Sequence, residues 1–250
     1  MTDNTLAVDD TSTRPRRTQH RKRGALYFLR DLLVIFVVAL LVSFLVKTFL
    51  IRSFYIPSGS MQNTLQIDDR IIVNQLVPEV VPLSRGDVIV FRDPGGWLDG
   101  TPQPEQPAIV EAIDWTLGLV GLTSPDSDEH LIKRLIGLPG DHVVCCNSLG
   151  QLSVNGVPLD EPYVLKPDAS SPVSADDFDV VVPDDSLWVM GDNRYNSKDS
   201  RYNTETPGGG YVPIDDVVGR AFVVSWPLSH WSWLDDYPDV FDAVPGPTGE

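Results

Sequence analysis

LLVIFVVALLVSFLV, residues 32–46, runs for fifteen residues without a charge. Lys47 and Thr48 interrupt the apolar run and Phe49-Leu50-Ile51 extends it, so residues 32–51 make a stretch of 20. At ~1.5 Å per residue a helix of that length is about 30 Å long, one hydrocarbon thickness. Lys47 lies near one end, where a lysine can snorkel to the interface. Upstream, residues 1–23 are polar and basic with no apolar periodicity and read as a disordered tail. Residues 1–30 carry Arg14, Arg16, Arg17, Arg21, Lys22, Arg23 and Arg30 against Asp3, Asp9 and Asp10. Length and basic flank together argue against a buried core helix. A cleaved leader has the same basic-then-apolar order, but its apolar stretch is usually shorter, and Arg52-Ser53-Phe54-Tyr55 offers no small-x-small cleavage site. The stretch reads as an uncleaved anchor over 31–51, with a cytoplasmic tail, 1–30, before it and the rest of the chain outside the cell membrane.

Beyond the anchor the chain changes character. Residues 53–250 carry ten Lys/Arg against 31 Asp/Glu, which is 10 − 31 = −21, while the whole chain carries −16. A folded part that acidic repels nucleic acid and anionic lipid at long range, so no nucleic acid is expected as a partner; acidity that only keeps the domain soluble fits equally. With 42% hydrophobic residues there is material for a core, and 21 prolines with 19 glycines favour short strands and turns over long helices. Strands are expected at 67–77 and 86–92, then at 131–136, 143–146, 152–154, 180–182, 187–190 and 219–226. In the 86–92 strand Val88, Val90 and Arg92 share one face and Ile89 and Phe91 the other. Residues 108–122 (AIVEAIDWTLGLVGL) repeat apolar side chains near helical spacing. They read either as a core or cap helix or as a segment resting on the membrane surface. The fold class is therefore mainly β, a single transmembrane helix followed by a β-rich domain over 52–240. That domain carries an insertion at 93–130 and a smaller β subdomain at about 146–186, and a tail follows at 241–250.

Few of the common catalytic signatures are present. There is no HExxH or CxxC, so no zinc or other metal is implied, and no cofactor-binding glycine loop or GxSxG elbow occurs. Of the four histidines, His20, His130, His142 and His230, the first lies on the cytoplasmic tail and cannot reach an external site, and His130 or His142 would serve a histidine-dependent hydrolase. Pro57-Ser58-Gly59-Ser60-Met61 follows the anchor and by itself has the composition of a linker. In Leu131-Ile132-Lys133-Arg134-Leu135-Ile136 the period of two puts Leu131, Lys133 and Leu135 on one face. If that face is buried, desolvation lowers the pKa of the Lys133 amine, and a neutral amine is a competent base for a serine hydroxyl. The alternative is an edge lysine that snorkels to water. A third segment, Gly191-Asp192-Asn193-Arg194-Tyr195-Asn196-Ser197-Lys198-Asp199-Ser200-Arg201, reads either as a polar surface loop or as hydrogen-bonding groups packed behind an apolar strand.

Together these segments resemble the bacterial type I signal peptidases, the leader peptidases. The resemblance has four parts in the family's order: an anchor followed by PSGSM, RGDVIVF (85–91), KRLIGLPGD (133–141) and GDNRYNSKDSR (191–201). It implies a β-rich catalytic domain of the signal peptidase type and a hydrolase that acts on secretory preproteins at the lipid bilayer. Residue by residue, it implies Ser60 as nucleophile and Lys133 as general base, with Ser58 donating to the oxyanion beside the Ser60 amide. It further implies that Ser197 holds the Lys133 amine, that Asp199 and Arg201 form a supporting ion pair, and that Met61 packs near the nucleophile. Such a family cuts after small residues of the Ala-x-Ala type. Tyr195, where the family often has an acid, and Lys198, where it often has a small residue, depart from the pattern and bear on the electrostatics of the loop.

Ser60 follows Ile51 by nine residues, a reach of at most ~30 Å. A nucleophile tethered that closely shares a shallow layer with a substrate emerging from its own apolar span. Ile56 and Val90 are candidate pocket residues for an extended substrate. Trp226, Trp231 and Trp233, with Pro227, Leu228 and Leu234, read either as core packing or as an interfacial aromatic patch. Cys145 and Cys146 are either a vicinal disulfide or two buried thiols.

Overall fold

The computed structural model describes residues 19–98 and 130–246. The chain divides between Val46 and Lys47 into two units. The first holds most of α1 (Gln19–Phe49), with Tyr27–Val46 long and apolar enough to cross a membrane. Helix α1 ends at Phe49, and Ile51, which the sequence placed at the end of the anchor, instead opens a strand. The 108–122 segment lies outside the described residues.

The second unit is built on an eight-stranded antiparallel sheet. Its strands are β1 (Ile51–Tyr55), β2 (Arg70–Asn74), β3 (Val88–Arg92), β4 (His130–Gly137), β9 (Ser186–Met190), β10 (Val212–Pro213), β11 (Val217–Trp226) and β12 (Ser232–Trp233). Their order is β1-β2-β11-β3-β4-β9-β10, with β12 paired to β11. A four-stranded sheet joins β7 (Val157–Pro158), β6 (Ser153–Val154), β5 (His142–Cys145) and β8 (Phe178–Val181) in that order. The expected 67–77 strand is shorter than the sequence suggests: residues 67–69 turn, with Asp68 at φ 73, before β2 begins.

Strands β3 and β4 lie at the centre, and the alternation of their side chains decides what each face buries. Val88 and Val90 join Ile132 in a cluster with Phe54, Ile56, Met61, Leu65, Ile71 and Val73. Ile89 and Phe91 point the other way, to Trp97, Leu135, Leu187 and Val189. Full burial of such side chains is worth roughly 1.5–3 kcal/mol each, and a one-residue slip on β3 would send both sets into the wrong cluster at once. A third cluster, with Val143, Leu152, Val154, Trp188 and Met190, fixes the small sheet. Cys145 and Cys146 are joined by a disulfide, the vicinal one of the two alternatives. Trp226, Leu228, Trp231 and Trp233 are exposed, the last two at 54% and 66%, so core packing is not their role.

Among the charged side chains inside this frame, Arg134 is fully buried on its central strand. Arg134 on β4 donates through Nε and Nη2 to both carboxylate oxygens of Asp192 at 2.9 and 2.8 Å. Its Nη1 donates to the carbonyls of Gly86 and Asp235. The guanidinium lies 4.0 Å from the Tyr163 ring centroid and 5.3 Å from that of Tyr237. The sequence reading put Arg134 on the face opposite Lys133 without a partner. The pair requires that neither member be removed alone, because an unpaired buried charge costs several kcal/mol. Arg134→Met is expected to lower unfolding stability by about 3–5 kcal/mol, and Arg134→Met with Asp192→Asn to recover much of the loss. Chemical denaturation checks this, and a single variant within about 1 kcal/mol of the parent would contradict it.

Candidate active site

After β1, residues 57–65 form a turn that presents Ser60. The Gly59 carbonyl accepts from the Gln62 N–H at 3.2 Å, and the Met61 carbonyl accepts from Thr64 and Leu65 N–H at 3.1 and 2.8 Å. Met61 and Leu65 are fully buried in the cluster below and fix the turn from beneath. Ile56 and Val90 lie in the same cluster, so their side chains shape the floor under the turn.

Strand β4 delivers Lys133 to this turn. Its Nζ lies 2.9 Å from Ser60 Oγ and donates also to the Ile132 carbonyl at 2.9 Å. Lys133 is 4% exposed and Ser60 7%. Removal from water pulls the Lys133 amine down from 10.5 to about 8, against the opposing pull of the Asp199 and Asp192 carboxylates. An appreciable fraction is therefore neutral near neutral pH, and the neutral form can take the proton of Ser60 Oγ. Ser58 Oγ lies 3.3 Å from Ser60 Oγ and brings a second hydroxyl to the same point.

The segment after β9 forms the wall behind the pair. Asp199 holds Arg201 by two contacts of 2.8 Å, from Arg201 Nε to Oδ1 and from Nη2 to Oδ2, and its Oδ2 accepts from the Gly191 N–H at 2.9 Å. Arg201 Nη2 donates on to the Arg194 carbonyl at 2.8 Å, and Arg194 is itself paired with Glu161 inside the fold. Gly191 must lack a side chain: a Cβ there would stand 2.3 Å from Ser197 Oγ and 2.5 Å from the Ser60 carbonyl oxygen. Tyr195 faces the small subdomain and donates to the Pro172 carbonyl at 3.1 Å.

The geometry thus brings together Ser58, Ser60 and Lys133, places Met61 beneath them, and pairs Asp199 with Arg201. Ser197 is buried against Gly191, but its Oγ has no hydrogen-bond partner among the described residues, and it is not bonded to Lys133. The histidines are engaged elsewhere: His142 lies 2.6 Å from Asp179, His230 2.8 Å from Asp69, and the His130 ring packs against Phe54. Sequence reasoning missed Asp192, Asn193 and Thr64. Asp192 accepts from Thr64 Oγ1 within the Ser60 turn while it holds Arg134, and so ties β4 to the turn. The signal available was Arg134 itself, a guanidinium flanked by Ile132, Leu135 and Ile136 on a central strand, which demands a buried acid.

The chain matches the family model described as signal peptidase, peptidase S26, over residues 29–226. The probable signal peptidase I of Mycobacterium leprae is 37% identical over 238 residues, 86% of this chain and 81% of that protein. The signal peptidase I of Mycobacterium tuberculosis is 37% identical over 222 residues, 81% and 74% of the two chains. A solved signal peptidase I from Enterococcus faecalis is 26% identical and covers 55% of this chain and 95% of that one, with a TM-score of 0.35.

The burial of Lys133 has a measurable consequence for stability. Between pH 8 and 10.5 the unfolded chain holds a proton on this lysine that the folded chain releases. Its contribution to stability therefore rises with pH across that window, by on the order of 3 kcal/mol. Lys133→Met is expected to unfold at higher temperature than the parent at pH 7, with the gap closing toward pH 10.5. A variant less stable than the parent, by an amount that pH leaves unchanged, would contradict the burial of a strained amine.

Proposed function

The chain belongs to the signal peptidase family, peptidase S26, and from that premise we propose that it is a membrane-bound serine endopeptidase that removes N-terminal signal peptides from exported preproteins. Ser60 is the nucleophile and Lys133 the general base. The observation that carries this reading is the 2.9 Å contact between Lys133 Nζ and Ser60 Oγ, with both groups buried.

In the reaction, neutral Lys133 accepts the Ser60 Oγ proton as Oγ bonds to the scissile carbonyl carbon. The oxyanion that forms takes hydrogen bonds from the Ser60 N–H and Ser58 Oγ; one such donor is worth about 3 kcal/mol in the transition state. The carbonyl–nitrogen bond then breaks as the Lys133 ammonium gives its proton to the leaving amine, which departs with the mature protein. Water, giving a proton to the same amine, attacks the Ser60 ester; the ester bond breaks as the ammonium passes that proton to Ser60 Oγ, and the signal peptide is freed. Ser197, with its unpartnered Oγ beside Gly191, supplies a hydroxyl for the Lys133 amine to turn to when Ser60 is acylated. Asp199 and Arg201 hold the wall in place.

The substrate's small residues, Ala-x-Ala before the cut, suit shallow sites over the apolar floor of Ile56, Met61, Val90 and Ile132. The Tyr27–Val46 span anchors the enzyme in the bilayer where such precursors emerge, with the basic tail on the cytoplasmic side and the acidic domain outside. The exposed Trp226, Trp231 and Trp233 suit the headgroup layer of the same bilayer.

The test is cleavage of a precursor bearing an Ala-x-Ala signal by the full chain in lipid vesicles. The parent is expected to cut after the second alanine. Ser60→Ala and Lys133→Ala should each lose at least about a thousandfold in rate, as members of a nucleophile–base unit do. Lys133→Ala with most of the parental rate would place the base elsewhere.

A further inference from the structure

Asn193 reaches the nucleophile turn with three hydrogen bonds. Its main-chain N–H donates to the Ser60 carbonyl at 3.0 Å. Its carboxamide Nδ2 donates to the Gly59 carbonyl at 3.1 Å and to Gln62 Oε1 at 3.1 Å. The residue itself is 8% exposed and touches no group that takes part in bond making.

The target of the middle bond gives it meaning. The Gly59 carbonyl and the Ser60 N–H belong to one planar trans peptide and point in opposite directions. Holding the Gly59 oxygen toward Asn193 therefore holds the Ser60 N–H toward the opposite side. The bond to the Ser60 carbonyl fixes the next peptide plane in the same way. Both planes flanking the nucleophile are thus set by one residue, with the Gln62 N–H as a second donor to the Gly59 oxygen at 3.2 Å. A donor on the carbonyl end of a peptide also polarises it, which strengthens its N–H as a donor. Space around the plane is closed: a Cβ on Gly59 would stand 2.9 Å from Gln62 Oε1 and 3.3 Å from Asn196 Nδ2.

We infer that Asn193 is a positioning residue that aims the Ser60 N–H at the oxyanion. The inference rests on the reading of Ser60 as nucleophile. It requires an amide at position 193, because a carboxylate offers no hydrogen to the Gly59 oxygen.

The experiment compares the full chain in vesicles with Asn193→Ala, Asn193→Asp and Ser60→Ala. Precursor cleavage is read together with the binding of two matched peptides ending in Ala-x-Ala. One ends in an aldehyde, which Ser60 Oγ adds to, giving a tetrahedral adduct with an oxygen in the oxyanion position. The other ends in the corresponding alcohol, which is not electrophilic and forms no such adduct. Asn193→Ala is expected to lose about tenfold to a hundredfold in kcat, less than outright removal of a donor, with KM within about threefold. Aldehyde binding should weaken by a similar factor while alcohol binding stays at the parental value. Asn193→Asp, which keeps the outline and the main-chain N–H, should lose as much. Parental kcat in either variant, or equal weakening of aldehyde and alcohol, would overturn the inference. So would failure of both variants to fold, since Asn193 would then serve the fold. If the parent cuts nothing, or Ser60→Ala still cuts, the dyad reading falls first and this inference falls with it.

Discussion

Everything at this site depends on one desolvated amine. Lys133 sits 4% exposed on a central strand with its Nζ 2.9 Å from a serine oxygen, and burial brings it down to about 8. A lysine left in water would hold its proton and could not act as a base at neutral pH. On the proposed reading of Lys133 as base, the apolar clusters on the two faces of β3 and β4 are also the source of the chemistry. They supply the dry surroundings that make a weak base available.

The same burial creates a problem that the fold resolves with paired charges. The wall behind the dyad contains Asp192 and Asp199, and both pull the Lys133 amine back up. Each carries its own guanidinium, Arg134 on Asp192 and Arg201 on Asp199, so each meets the lysine as a neutralised pair. A bare buried carboxylate beside Lys133 would favour the ammonium and oppose the base. Both carboxylates also place backbone or side-chain groups at the site. Asp199 takes the Gly191 N–H, and Asp192 takes Thr64 in the Ser60 turn. Asn193, between them in sequence, holds the Gly59 and Ser60 carbonyls. Three short segments far apart in the chain are in this way locked into one arrangement.

Much of this was legible in the sequence, for identifiable reasons. The period of two placed Leu131, Lys133 and Leu135 together, and Leu135 does pack with Ile89 and Phe91. The alternation of β3 likewise matched the two clusters it feeds. What failed were inferences that need the neighbours. Arg134 falls with Ile132 and Ile136 on the face opposite Lys133 and had no partner in sight, because β4 is covered on both faces and the partner lies 58 residues away. Ile51 looked like the end of the apolar run; it starts β1 because the residues at 70–74 offer a complementary edge. The tryptophans near the C-terminus could not be placed, because a run of aromatics looks the same whether or not something covers it. The roles expected of Ser58 and Ser197 came from the family resemblance and not from composition or spacing, and Ser197 Oγ is not bonded to Lys133.

The central claim is that a neutral Lys133 amine activates Ser60. Its most direct test is the single-turnover cleavage rate as a function of pH, in the parent and in Asp199→Asn. The account expects the rate to rise with pH to a plateau, with its midpoint at about 8 in the parent. Loss of the Asp199 charge, which favours the ammonium, should move that midpoint to lower pH. A midpoint near about 6.5, the range of a histidine, or one that Asp199→Asn leaves in place, would contradict it.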